Sequence, residues 1–151
     1  MNRIAMLLIP CLGVWAAVTT VGDTSNAAIS PMAGLAQSPG EDTCFANSNG
    51  TITNVCGGVR RYCVAVNVTS SGNKSVAVTA LRPNGGTLAC HATAVNRFGG
   101  AVSGTGNVPL NVVNVDTAFT VGTVNVPAFG AAFACCDLST SARIDTVNFT
   151  N

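Results

Sequence analysis

Gly130–Asp137 reads GAAFACCD, and the two adjacent cysteines in it decide how the chain is held together. Neighbouring residues of an extended segment point to opposite faces, so Cys135 and Cys136 must reach different partners. Two disulfides then anchor one strand from both sides. A ring closed between the two neighbours is the strained alternative, because bridged cysteines prefer Cα atoms about 5.5 Å apart.

The cysteines at 44, 56, 63 and 90 are the elements to which this strand and its surroundings are tied. In Thr87–Val95, alternation groups Leu88, Cys90, Ala92 and Ala94 on one face and leaves His91 on the other. Phe133 and Cys135 share a face of the 130–137 strand, so the expected bridges are Cys90–Cys135 in the core and Cys63–Cys136 at the periphery. For Cys44 and Cys56 the Asn49-Gly50 turn is the test. A two-residue loop pairs Ser48 with Thr51 and Cys44 with Val55, leaving Cys56 on the opposite face. A Cys44–Cys56 bridge therefore requires a three-residue loop or a bulge.

The start of the chain has the form of a signal peptide, assigned to residues 1–27. Met1-Asn2-Arg3 carries one positive charge, Ile4–Val21 carries none, and Ser25-Asn26-Ala27 suits a cut after Ala27, with Ala16 an earlier alternative. Two other readings remain: an uncleaved anchor, interrupted by Pro10, and a lipoprotein modified at Cys11, which follows proline instead of the usual small residue. Export would leave an even set of six cysteines, Cys44, Cys56, Cys63, Cys90, Cys135 and Cys136, as expected of a disulfide framework in an oxidising compartment. Zinc ligation would want CxxC spacing and several histidines, and the chain has one histidine, so no metal or other cofactor is expected.

Residues 28–42, with two prolines and no apolar period, read as a mobile lead-in to a domain over 43–151. From there the signal is period two throughout. In Arg60–Thr69, Tyr62, Val64, Val66 and Val68 share the face expected to enter the core. Further strands are expected at 44–47, 51–55, 75–81, 87–95, 109–115, 118–126, 131–138 and 143–150, separated by Gly, Asn, Pro and Ser turns. Short strands without helices between them predict an all-β, disulfide-stabilised antiparallel β-sandwich or jelly-roll-like domain.

Charged residues are 9% of the chain, against about 25% in an ordinary soluble domain, and the net charge is +1. Such a balance attracts neither nucleic acid nor an anionic membrane, and a net charge near zero favours association. The composition thus points to a secreted, non-enzymatic structural or interaction protein, whose partner is another protein or a second copy. The alternative is a ligand-binding module or inhibitor presenting the Gly/Asn-rich loop 98–107 on a rigid sandwich.

No catalytic constellation stands against this. His91 follows Cys90 directly and so points away from it, no Gly-x-Ser-x-Gly elbow occurs, and Gly104-Thr105-Gly106 lacks the lysine and helix of a phosphate cradle. Arg60, Arg61, Arg82 and Arg97 would form an anion site if their strands were neighbours. The only tyrosine, Tyr62, lies on the expected core face, and the one tryptophan lies in the signal segment. That counts against an aromatic sugar platform and leaves open a hydrogen-bonding site built from Asn and Thr.

Overall fold

The computed structural model describes residues 26–67 and 70–150. The charged start, the apolar run and Cys11 lie outside them. Among the described residues there are twelve strands: β1 (Asn26–Ile29), β2 (Gly34–Ala36), β3 (Phe45–Ser48), β4 (Thr51–Asn54), β5 (Arg60–Asn67), β6 (Gly72–Leu81), β7 (Leu88–Val95), β8 (Ala101–Gly104), β9 (Val108–Pro109), β10 (Thr117–Val126), β11 (Ala131–Leu138) and β12 (Arg143–Thr150). They build two antiparallel sheets, with no α-helix among the described residues.

One sheet runs β10-β6-β12-β4-β3, with β1 beside β12; the other runs β2-β5-β11-β7-β8, with β9 beside β7. The predicted sandwich is thus formed. The strand that carries the paired cysteines, β11, is central in its sheet. Cys135 stands opposite Cys63 of β5, Cys136 stands opposite Cys90 of β7, and each pair is bridged with its Cα atoms 4.0 Å apart. Each cysteine of the pair staples β11 to a different neighbour, on a different face.

The pairing differs from the expected Cys90–Cys135 and Cys63–Cys136. Ala132, Ala134, Cys136 and Leu138 face the core, whereas Phe133 is turned outward and half-buried. The reason is volume. The opposite sheet supplies Val76, Val78, Val124, Val126, Val147 and Phe149 to the same interior, so small residues on β11 and β7 fill what remains.

Cys44 and Cys56 are bridged as well, across a two-residue turn. No longer loop is needed, because Val55 N–H donates to Cys44 O at 2.8 Å, just beyond the last ladder pair, and the chain then bends away. Alternation ceases to apply where the ladder stops.

The stretch expected as a mobile lead-in over 28–42 is built into the sandwich instead. β1 adds to β12 and β2 adds to β5, with Pro31 buried between them. Tyr62 Oη donates to Pro31 O at 3.0 Å, and its ring meets Phe45 at 4.8 Å. Gly34 permits this close docking, since a Cβ there would lie 2.5 Å from the Tyr62 ring. A strand expected at 109–115 is replaced by the short β9 and an irregular stretch. The adjacent Val112 and Val113 break the period, and Asn114 adopts a left-handed φ of 57°.

Two outcomes follow. Non-reducing peptide mapping should recover Cys63–Cys135 and Cys90–Cys136, and replacing Cys90 and Cys136 together by alanine should lower stability by about 2–4 kcal/mol, read by denaturant titration. The second concerns Tyr62, whose phenol is pushed above its ordinary value near 10 by burial and then by Asp42. The folded state holds that proton more tightly than the unfolded chain does. The contribution is full below about pH 10 and is lost as pH rises beyond it. Tyr62→Phe should therefore flatten the alkaline fall in stability.

Candidate functional site

Three connections meet at one end of the sandwich: β4–β5, β6–β7 and β11–β12. Between them lies a cleft of about 490 Å³, bounded by Gly58 and Val59, by Pro83–Thr87, and by Ser139–Ser141. Its walls are set by hydrogen bonds that sequence reading did not single out.

Asn54, fully buried, is the main tie. Its Nδ2 donates to Leu138 O at 2.7 Å and to Gly58 O at 3.0 Å, its Oδ1 accepts from Cys56 N–H at 3.0 Å, and its backbone bonds to Ala142 and Ser141. One side chain thus fixes two of the three connections. Thr140 Oγ1 donates to Cys56 O at 2.9 Å, reinforcing the same wall beside the Cys44–Cys56 bridge.

The third connection is held through Ser139, whose Oγ accepts from Thr87 N–H at 2.9 Å while its backbone N–H donates to Thr87 O at 3.0 Å. Gly86 must be glycine, because an added Cβ would collide with Ser139 Oγ and the Pro83 ring. Asn84 N–H donates to Asn114 Oδ1 at 3.0 Å, which leaves the exposed Asn84 side chain at the rim. Ser141, also exposed, is held at a φ of 65°. The lining therefore carries hydroxyls, one carboxamide and backbone polar groups, with no ionisable side chain.

The four arginines named from the sequence each meet a different partner. Arg60 Nε lies 3.5 Å from Glu41, and Arg61 forms a bidentate pair with Asp137 at 2.6 and 2.8 Å, a contact that raises the guanidinium pKa. Arg82 donates to Asn111 O at 2.7 Å, and Arg97 lies over the Phe98 ring at 4.6 Å. His91 is on the outer face as expected, directly opposite Cys135, but both flanking cysteines are in bridges and carry no thiol.

The stretch 98–107, expected as a free loop, is half strand. β8 pairs with β7, and Thr105 exchanges two 2.9 Å bonds with the backbone of Ala92.

No family model matches the chain, and no characterised protein matches it in sequence. Solved structures do match in shape. A GH26-CBM35 β-(1,4)-mannanase of Podospora anserina superposes with a TM-score of 0.56 at 10% identity, over 83% of this chain and 27% of that one. The chain thus spans about a quarter of the mannanase. The C-terminal CBM6 domain of a laminarinase from Zobellia galactanivorans gives 0.52 at 17% identity, over 83% and 99% of the two chains. A CBM36 domain of a xylanase from the hindgut metagenome of Trinervitermes trinervoides gives 0.52 at 11%, over 83% and 97%. These are likenesses of fold.

Replacing Asn54 by alanine should strand the buried Leu138 carbonyl and free the part-buried Gly58 O and Cys56 N–H, lowering stability by about 1–3 kcal/mol. Chemical denaturation checks the magnitude. Amide exchange should quicken at Gly58, Cys56 and Ser141 more than in β11.

Proposed function

We propose that the protein is a non-enzymatic, extracellular binding module whose loop-end cleft takes a neutral, hydroxyl-rich ligand of the glycan class. The observation that carries this reading is the cleft's lining: hydroxyl, carboxamide and backbone groups on a rigid frame, with no charge that would select an ion. Neutral donors and acceptors held in fixed positions discriminate by geometry, and the matched hydroxyls of a sugar satisfy them in both directions. Val59 and Pro83 supply the apolar patches against which the C–H faces of a pyranose pack.

The fold supports the same reading. The two domains that this chain overlays along nearly their whole length are carbohydrate-binding modules, one from a laminarinase and one from a xylanase. The cleft lining has no aromatic side chain, which shifts recognition there to hydrogen bonding. Three disulfides suit an oxidising compartment, and among the described residues no helix is long and apolar enough to cross a membrane.

Calorimetric titration with neutral β-glucan, mannan and xylan oligosaccharides tests this, alongside an acidic oligosaccharide as control. Binding to at least one neutral series is expected, weakened about tenfold by Asn84→Ala, the loss of roughly one good hydrogen bond. Retention of acidic sugars alone, or a neutral affinity indifferent to Asn84, would overturn the cleft as the site. Assembly rising with concentration in light scattering, with no glycan bound, would turn the function to a self-associating structural protein.

A further inference from the structure

At the end of the sandwich opposite the cleft, two phenylalanines stand in solvent. Phe98 is 81% exposed in the turn after β7, and Phe129 is 86% exposed in the turn before β11. The turns are neighbours, since Val95 and Ala131 are paired in register at the ends of those strands. Both are stiff. Asn96 Oδ1 accepts from Phe98 N–H at 2.9 Å and from Gly100 N–H at 3.0 Å, while Gly130 N–H donates to Pro127 O at 2.9 Å.

Folding does not account for either side chain. Exposed rings gain little from burial within the chain, and Phe129 is held at a φ of 60°, a left-handed conformation unfavourable for a bulky residue. Glycine or asparagine would serve the turn better.

Charge is divided between the two ends. Glu41, Asp42, Asp116, Asp137 and Asp145 all lie toward the cleft: Asp137 precedes the last residue of β11, Asp116 and Asp145 flank the starts of β10 and β12, and Glu41 and Asp42 precede the bridged Cys44. The aromatic end has no carboxylate among the described residues. Its exposed charge is Arg97, stacked on Phe98, with Lys74 buried nearby in β6. Arg60, Arg61, Arg82 and Arg143 share the cleft end with those carboxylates, which leaves the aromatic end the more basic of the two.

We propose that this end docks on an anionic lipid surface, with Phe98 and Phe129 entering the headgroup–acyl boundary and Arg97 meeting lipid phosphates. Shape favours lipid over protein. A stable protein interface buries about 800 Å² on each partner, and two phenylalanine side chains, at about 200 Å² each, supply roughly half of that. A bilayer interface accepts protruding aromatic tips at headgroup level, and a basic residue near an anionic surface adds electrostatic attraction.

Co-sedimentation of the purified protein with phosphatidylcholine vesicles, with and without roughly one-third phosphatidylglycerol, tests the proposal. Binding to the anionic vesicles is expected, weaker on pure phosphatidylcholine and in high salt. The Phe98→Ser/Phe129→Ser variant should lose it about tenfold with an unchanged melting temperature, because both rings are exposed. Asn84→Ala should bind vesicles as the parent does, so that failure of the glycan reading leaves this one standing. Absence of binding to anionic vesicles, or equal binding by the double variant, would overturn it. So would a parent dimer that the double variant dissolves, or a loss of glycan binding in its place.

Discussion

The sandwich depends on the placement of one strand between two disulfides that leave it in opposite directions. β11 is central in its sheet, and its consecutive cysteines reach β5 on the outer face and β7 in the core. Because alternation puts neighbours on opposite faces, this arrangement admits a single register. A slip of one residue would turn Cys135 inward and Cys136 outward, away from both partners. The bridges therefore specify the sheet as well as stabilise it, which matters in a chain whose strands are rich in similar Val, Ala and Thr residues.

That constraint was legible in the sequence, and so were the all-β class, most strand positions and the face of β5 that enters the core. The swap of bridge partners turns on one question, which face of β11 meets the core. Cys63 lies on the face opposite Tyr62 and Val64, and Cys90 lies with Leu88 and the alanines. Matching faces joins each of them to whichever of Cys135 and Cys136 shares its side, and so fits either assignment. The expectation that bulky Phe133 faces inward prevailed, although interior volume is shared between sheets and the opposite sheet had filled it with valine. Residues 26–36 carry a weaker signal for a related reason: their strands are edge pieces whose contacts, such as the hydrogen bond from Tyr62 Oη to Pro31 O, arise only once β5 exists.

The cleft was less legible, since its parts were read as punctuation. Pro83–Gly86 and Ser139–Ser141 each signal a turn, and nothing in either says that the two turns meet, because that is a property of strand order. One residue did carry a signal. Ile52 and Asn54 share a face of β4, so the period that buries isoleucine also buries the asparagine, and a buried carboxamide must find partners. Its partners are the loops that wall the cleft.

The two ends of the sandwich differ in what holds them. At the cleft, exposed turns are tied inward by Asn54, Ser139, Thr140 and the Cys44–Cys56 bridge, and the carboxylates pair with arginines around them, as Asp137 does with Arg61 and Asp116 with Arg143. At the far end two stiff turns hold rings away from the protein, one of them against its backbone preference. Phe98 meets Arg97 of its own turn, Phe129 departs from its backbone preference, and such departures concentrate where a surface answers to something outside it. The central strand, stapled on both sides, joins the two: it begins just after the Phe129 turn and ends just before Ser139 in the wall of the cleft.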